Sequence, residues 1–272
     1  MRTLLVCGHG YLGQAISRDF RSAGWQVAAL SLSGGADSLA CDLSSPDAVA
    51  GLKLSPDFIV HCASSGRGGE ALYRAVYLEG CRNLTNRFPG IPLLFTSSTS
   101  VYAQTDGSEV TEESPAEPDR ETGKILRETE DLVLSTGGIV TRLAGIYGPG
   151  RSMILKKFLN GEAVIEEDGR RYLNQIHRDD AAAAILCLAS QLSTINHQLF
   201  NLSDSHPLTQ RECYESLSSI FSLPLPPTGP RDPNRKRGWT HKQVSNAKLR
   251  AIGWEPRFPS FLDAVGSVAP TL

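Results

Sequence analysis

The first half of the chain alternates short apolar runs with longer amphipathic segments. Short apolar runs are typical of buried strands, and apolar stripes at helical spacing, such as Leu12, Ile16 and Phe20, are typical of helices packed on a sheet. The pattern predicts strands at Thr3–Cys7, Gln26–Leu30, Asp57–Cys62, Pro92–Ser97 and Gly138–Leu143. It predicts helices at Tyr11–Ala23, Pro46–Leu52, Gly69–Phe88 and Glu121–Leu134. Strands separated by helices imply βαβ units and therefore an α/β fold with a parallel sheet.

The pattern becomes looser after about Tyr147. Helices are predicted at Arg178–Ser190, at Thr209–Phe221 and near Phe258–Val265, with one strand at Gln198–Leu202. We therefore expect residues 1–147 to form the main domain, with later elements (about 173–202) packing back onto it. Residues 148–272 would mainly form a smaller C-terminal region.

Composition excludes several classes of protein. A chain of 272 residues with 40% apolar residues can bury a substantial core. The net charge of −2 lacks the basic excess of a nucleic-acid binder. The apolar run Ala181–Ala189 is too short to span a bilayer, and Thr3–Cys7 fits a strand better than a signal peptide. We expect a soluble cytoplasmic protein with neither membrane nor nucleic acid as a partner.

The six cysteines form no Cys-x-x-Cys pair and no spacing typical of a metal site. Cys7 and Cys62 fall inside apolar, strand-like runs. We expect free, buried thiols in a reducing compartment and no bound metal.

A glycine-rich loop follows the first predicted strand and opens the first helix. It reads Gly8-His9-Gly10-Tyr11-Leu12-Gly13. The first glycine permits the tight turn, the second lets a pyrophosphate approach the backbone, and the third lets the helix pack on the strand. The phosphates would bind the unsatisfied N–H groups at the helix N-terminus. The sequence therefore predicts a doubly wound, Rossmann-type sheet that binds NAD or NADP.

The end of the second strand leaves the choice of cofactor open. An acidic residue is expected there for the ribose hydroxyls of NAD, but the position holds Ser31. No arginine adjoins it in sequence to bind the phosphate of NADP. Asp37 lies a few residues later and could substitute for the acidic residue, although it fits a polar loop residue better.

Seven further segments carry a family resemblance. They resemble, in family order, the motifs of the NAD-dependent epimerase/dehydratase family, the extended branch of the short-chain dehydrogenase/reductase superfamily. The segments are Cys41–Leu43, Asp57–Ser64, Tyr77–Leu84, Thr96–Tyr102, Arg142–Gly150, His177–Ala181 and Lys248–Trp254.

The resemblance implies an N-terminal NAD(P)-binding sheet and a C-terminal region that closes over a small substrate, often a nucleotide-linked sugar. The residues implied to line the cofactor are Gly8, Gly10, Tyr11, Leu12, Gly13, Ser31, Asp42, Leu43, Cys62, Ala63, Ser64 and Lys124. The resemblance also implies that Ser98 holds the substrate oxygen and that Lys124 holds the nicotinamide ribose. Relatives often dimerise through the two helices that correspond to Gly69–Phe88 and Glu121–Leu134, so a homodimer is one expected assembly.

The chain departs from the family at the residue that handles the proton. Family members use a Tyr-x-x-x-Lys pair on one face of a helix, where the lysine and the cofactor charge lower the phenol pKa. Lys124 occupies the lysine position, but Arg120 stands where the tyrosine belongs. An arginine stays protonated and cannot act as a general base. The chain thus resembles an atypical, Tyr-less branch.

Two other tyrosines could compensate for this loss. Tyr102 lies four residues after Ser98, although family members with the full triad also carry a tyrosine there, which favours packing. Tyr77 replaces a long-helix asparagine of the family.

Charged residues near the C-terminal region have two interpretations. Arg231, Arg235, Lys236 and Arg237 lie in a Pro-rich loop and would either bind a phosphate-bearing substrate or remain solvated. Asp179 and Asp180 begin a predicted helix and fit a structural role at its positive end.

Two functions remain from these observations. The first is an NAD(P)-dependent oxidoreductase, or an epimerase/dehydratase-like enzyme, with an altered proton-transfer site that keeps Ser98 and Lys124 and uses Tyr102 as the first substitute. The alternative is a non-catalytic NAD(P)-binding sensor. The retained Ser98 and Lys124 favour the enzyme, whereas Arg120 favours the sensor.

Overall fold

The central element of the protein is a seven-stranded sheet, which confirms the predicted Rossmann-type α/β class. The structure is a computed structural model that describes residues 1–66, 68–231 and 239–272. The sheet order is β12-β7-β5-β4-β1-β2-β3. The first seven strands of the chain are β1 (Thr3–Cys7), β2 (Gln26–Ser31), β3 (Leu39–Ala40), β4 (Phe58–His61), β5 (Leu93–Ser98), β6 (Glu109–Val110) and β7 (Ile139–Leu143). The others are β8 (Gly145–Tyr147), β9 (Ile165–Glu166), β10 (Tyr172–Leu173), β11 (Gln175–His177), β12 (Leu199–Leu202), β13 (Leu208–Thr209), β14 (Thr228–Gly229) and β15 (Gln243–Val244).

The helices agree with most of the predicted segments to within a few residues. They are α1 (Tyr11–Ser22), α2 (Pro46–Ala50), α3 (Glu70–Tyr73), α4 (Gly80–Arg87), α5 (Glu121–Ser135), α6 (Met153–Leu159), α7 (Arg178–Ala189), α8 (Gln210–Phe221), α9 (Ala247–Ala251) and α10 (Phe261–Val268). The last of these begins three residues later than predicted, because Ser260 and Asp263 form a capping box there. The periodicity analysis missed α6, α9 and the two-residue strands, which are too short to show a period.

Apolar periodicity explains why β1 and α1 pack together. Leu4, Leu5 and Val6 of β1 are fully buried, as expected for a strand covered on both faces. Ile16 and Phe20 on α1 are also fully buried. The glycine-rich turn between them therefore lies at the carboxyl end of a rigid strand.

The long helix predicted at Gly69–Phe88 is interrupted. Residues Arg74–Glu79 form a π-helical turn between α3 and α4. A π turn adds one residue to the helical repeat and often occurs at functional sites. Amphipathic periodicity does not reveal it, because six residues are too few to show a period of their own.

The chain divides into two compact units. One unit comprises Met1–Val101, Ala116–Arg142 and Ala181–Phe200, and it contains the glycine loop. The other comprises Tyr102–Pro115, Leu143–Asp180 and Asn201–Leu272, with a core that includes Tyr147, Leu217 and Phe261. The domain boundary predicted at residue 147 remains a prediction.

Within the described ranges, no helix is both long and apolar enough to cross a bilayer.

Candidate functional site

The strand order places a crevice at the carboxyl ends of β1 and β4. In the sheet, β2 and β3 lie on one side of β1, whereas β4, β5 and β7 lie on the other side. The strand order therefore reverses direction at β1. Ligands of open α/β sheets bind at such a reversal, outside the carboxyl ends of the strands. Gly8 follows β1 directly, and Cys62 follows β4, so both predicted cofactor segments lie at this edge.

The first and third glycines of the loop are required by close packing. Gly8 has a φ of 109°, and a Cβ there would lie 2.3 Å from the Cα of Ala63. A Cβ on Gly13 would lie 2.1 Å from the carbonyl oxygen of Gly8. Each position therefore excludes any side chain, and together they bring α1, β1 and the loop after β4 into contact.

The second glycine borders open space. No atom lies within 4 Å of a Cβ built on Gly10, which is the N-cap of α1 and has no side-chain cap. The first N–H groups of any helix have no acceptor within the helix itself, and no acidic residue lies in the first turn of α1. An uncapped helix N-terminus beside an open cradle fits a phosphate group. The dinucleotide of the family therefore fits this loop.

A groove extends from the glycine loop along the end of β2. Its volume is about 620 Å³, within the usual range of ligand pockets. The backbone N–H groups of Gly8 and His9 both donate to the carbonyl of Leu30 at 2.9 Å, which joins the loop to this strand. Ser31 ends the strand, and its hydroxyl shares a hydrogen bond of 2.9 Å with the Ser38 hydroxyl.

The segment after β4 forms the opposite side of the crevice. The Cys62 thiol donates to the Gly8 carbonyl oxygen at 3.3 Å, and burial raises its pKa to about 12, so it stays a neutral thiol. Ala63 packs against Gly8, whereas Ser64 is exposed and its hydroxyl accepts from the Gly66 N–H. Cys62 is only half-buried, unlike the fully buried Cys7.

Asp42 and Leu43 lie on the connection between β3 and α2. The Asp42 carboxylate is exposed and accepts from the N–H and hydroxyl of Ser44. Leu43 is buried, and its carbonyl accepts from the Asn83 side-chain amide on α4 at 2.9 Å. This hydrogen bond connects the Cys41–Leu43 and Tyr77–Leu84 motifs, so Asn83 helps to fix the position of Leu43.

Ser98 is the last residue of β5 and remains partly exposed. Its hydroxyl oxygen accepts from the Ser100 N–H at 3.2 Å. That contact uses a lone pair of the oxygen and not its proton, so the hydroxyl retains donor capacity.

Lys124 lies in the first turn of α5 with 56% of its side chain exposed. Its ammonium group pairs with the Glu121 carboxylate at 2.6 Å, which raises the lysine pKa. Arg120 is the exposed N-cap of the same helix. The beginning of α5 therefore carries two cationic side chains, and the loss of the family tyrosine there stays a prediction.

Tyr102 belongs to the other unit and is completely buried. Its hydroxyl lies 2.9 Å from both the Thr111 carbonyl oxygen and the Asn201 side-chain oxygen. Its own carbonyl accepts from the Lys242 ammonium group at 2.8 Å. A proton-transfer role for Tyr102 stays a prediction, and these contacts weigh in favour of packing.

Tyr77 lies on the π turn and faces the loop after β4. Its hydroxyl accepts from the N–H and the hydroxyl of Ser65 at 3.2 and 3.4 Å. Its ring contacts Tyr73 at 5.0 Å and Phe95 at 5.9 Å between centroids. Beside it, burial lowers the pKa of His61 to about 4, so this imidazole is neutral at physiological pH.

The acidic pair that begins α7 has a structural partner that the sequence did not indicate. The Asp180 carboxylate accepts from the backbone N–H groups of Arg257 and Phe258 at 2.9 and 3.0 Å. The segment before α10 is therefore anchored by Asp180.

Of the basic loop residues, Arg231 is described, and Arg235, Lys236 and Arg237 lie outside the described residues. Arg231 pairs with Glu167 at 2.7 Å and stacks on Trp239 at 3.7 Å. In the part of the chain that the structure describes, no group of three His, Cys, Asp or Glu side chains is arranged to hold a metal.

Two residues at these sites were missed by the sequence analysis. Arg21, in the last turn of α1, lines the groove beside β2. Lys242 is 3% exposed, and burial lowers its pKa to about 8. The only sequence signal for Arg21 was its spacing of seven residues from Gln14, which places both on one helix face.

Comparison with known proteins yields a consistent set of relatives. The sequence profile of the NAD dependent epimerase/dehydratase family matches residues 4–203. Protein YeeZ of Escherichia coli is 31% identical over 250 residues, covering 83% of this chain and 86% of its own length. A 3-diazoavenalumate denitrifying reductase of a Streptomyces species is 27% identical over 306 residues, covering 98% and 99%.

A solved structure resembles the whole chain. A candidate NAD-dependent epimerase/dehydratase of Methylobacillus flagellatus superposes with a TM-score of 0.82 at 27% identity. The match covers 99% of this chain and 98% of that one.

Proposed function

The chain belongs to the NAD dependent epimerase/dehydratase family, and from this premise we propose that it is an NAD(P)-dependent reductase of a small carbonyl compound. The observation that carries the proposal is the open cradle above Gly10. Gly8 and Gly13 are packed against neighbouring backbone, whereas a Cβ at Gly10 would have no atom within 4 Å at a helix N-terminus. Glycine at all three positions allows a pyrophosphate to approach the backbone of the loop.

Ser98 supplies the second element of the proposal. The reduced dinucleotide, when bound, supplies the hydride that a carbonyl carbon accepts. Ser98 would donate its hydroxyl proton in a hydrogen bond to the carbonyl oxygen, where negative charge develops. Its oxygen is already oriented by the Ser100 N–H, so the donor is held in place before substrate arrives.

One relative supports the proposed substrate class, and the missing tyrosine bears on the expected rate. A reductase of comparable length is among the relatives, which supports a single hydride transfer to a small carbonyl compound. A nucleotide-linked sugar is the other substrate class to be screened. With Arg120 at the tyrosine position, the final proton would come from water or from a hydroxyl of the substrate. General acid catalysis is worth roughly 10²–10⁴ in rate, so we expect slow turnover.

Two variants test the proposal. Gly10→Val should fold normally, because a Cβ at this position has no atom within 4 Å, yet it should abolish dinucleotide binding in calorimetric titration. Ser98→Ala should bind the dinucleotide normally and reduce kcat for carbonyl reduction by roughly 10²-fold. Ser100→Ala is the matched control, because it keeps the backbone N–H that contacts Ser98. Undiminished binding by Gly10→Val would refute the proposed site.

A non-catalytic NAD(P) sensor is the second candidate. The observation that favours it is the start of α5, where Arg120 replaces the tyrosine and Lys124 is exposed and paired with Glu121. A sensor would bind the dinucleotide but oxidise none of it in the presence of any carbonyl compound in the panel. Turnover that falls in Ser98→Ala but not in Ser100→Ala would exclude this candidate.

A further inference from the structure

The groove beside β2 bears on which dinucleotide the chain binds, a question that rests on the proposed function. NAD-binding chains usually place an acidic residue at the end of the second strand, where its carboxylate accepts from the ribose hydroxyls. A carboxylate there repels the phosphate that distinguishes NADP, whereas hydroxyl and cationic donors attract it. The residue at the end of the second strand therefore largely determines whether NAD or NADP binds more tightly.

The structure places Ser31 at that position. Ser31 ends β2, and the preceding carbonyl, that of Leu30, accepts from both Gly8 and His9 of the glycine loop. A dinucleotide bound on the loop therefore has its adenosine ribose beside the end of β2. The Ser31 and Ser38 hydroxyls lie 2.9 Å apart and form a neutral pair that can donate to phosphate oxygens.

Cationic and polar side chains also line the groove, beside the Ser31–Ser38 pair. Arg21 and Gln14 line it from α1, and His9 lines it from the glycine loop. Arginine is suited to phosphate, because its planar fork donates two parallel hydrogen bonds. Arg21 comes from the last turn of α1 and is not adjacent to Ser31 in sequence.

One acidic residue lines the same groove. Asp37 lies on the loop between β2 and β3, is exposed, and is six residues beyond the end of β2. The strand-end position itself is held by the serine pair, so the ribose would meet hydroxyl groups first. Asp37 therefore has to be tested separately.

We propose that the groove formed by Ser31, Ser38, His9 and Arg21 receives the 2′-phosphate of NADPH, so that the protein prefers NADPH to NADH. Calorimetric titration of the full chain with NADPH and NADH measures this directly. We expect NADPH to bind at least tenfold more tightly, as one charge-assisted hydrogen bond to a phosphate provides about that factor.

Three variants assign the preference to residues. Ser31→Asp should reverse it, because the carboxylate repels the phosphate and accepts from the ribose hydroxyls. Arg21→Ala should weaken NADPH binding roughly tenfold and leave NADH binding unchanged. Arg18→Ala is the matched control on the same helix, since Arg18 pairs with Asp19 and does not line the groove.

The outcomes separate this inference from the proposed function. If neither dinucleotide binds, the proposed function fails. If NADH binds as tightly as NADPH, only the NADPH preference is overturned, and selective weakening of NADH in Asp37→Asn would then assign NADH binding to that carboxylate. Loss of NADPH affinity in Arg18→Ala equal to that in Arg21→Ala would overturn the role of Arg21.

Discussion

Replacement of Glu130 by glutamine should destabilise the glycine-loop unit strongly. Glu130 lies on α5, and its carboxylate is completely buried. It accepts from the Arg142 guanidinium at 2.6 and 3.1 Å, from the Ser97 hydroxyl at 2.5 Å, and from Arg127. Arg142 is itself only 3% exposed, and its guanidinium pairs with this buried carboxylate.

The magnitude follows from the burial of Arg142. Removal of one partner of a buried ion pair leaves an uncompensated charge and costs about 3–5 kcal/mol. Glutamine keeps the shape and one acceptor oxygen, so the lost term is mainly the negative charge. For a protein of this size, such a loss lowers the Tm by roughly 10 °C.

Urea unfolding followed by circular dichroism measures the loss. The matched control is Glu128→Gln on the same helix, because Glu128 pairs with Arg74 at 3.0 Å but both side chains are half-exposed. An exposed pair contributes about 0–1 kcal/mol, so the control should be nearly neutral. Equal effects of the two substitutions would refute the reasoning.

A double variant tests the same reasoning from the other side. Glu130→Met combined with Arg142→Met removes both buried charges and replaces them with apolar side chains of similar length. It should be more stable than Glu130→Gln, because no unpaired charge remains in the core. A double variant less stable than the single one would show that hydrogen bonds, and not charge compensation, dominate.

Three further predictions concern packing and pH. Gly13→Ala should destabilise the fold by about 1–3 kcal/mol in thermal unfolding, because its Cβ would collide with the Gly8 carbonyl at 2.1 Å; an unchanged Tm would contradict this contact. Tyr102→Phe should cost about 1–3 kcal/mol in urea unfolding, because it leaves the buried Asn201 side-chain oxygen without that donor, while calorimetry should show unchanged dinucleotide affinity; weakened affinity would favour a site role instead. Burial raises the pKa of Asp204 well above its usual value of about 4, so the folded state retains a proton that the unfolded state loses, and stability falls as pH rises from about 4 toward the folded pKa. Asp204→Asn should therefore gain stability relative to the parent as pH rises through that window, and a difference independent of pH would contradict the assignment.

Local sequence signals were sufficient for the core of the fold. The apolar run of β1, the glycine loop and the stripe of α1 are consecutive in the chain, so their order and type could be predicted. The conformational demands on Gly8 and Gly13 were also predicted correctly, because they follow from a turn and a packing contact common to such loops. Short strands and the π turn at Arg74–Glu79 were missed, since neither produces a distinct period.

What remained undetermined depends on residues that are distant in sequence. With Ser31 at the end of β2, the sequence left the choice between NAD and NADP open. Only the fold brings Arg21 of α1 and Ser38 to the same groove. Glu130 and Arg142 form a buried pair for the same reason, because α5 and β7 are adjacent only after folding. A sequence pattern determines which face of an element is buried, since that depends on residues a few positions apart. Which charged side chain meets which partner depends on how separate elements pack, and the tertiary structure alone decides it.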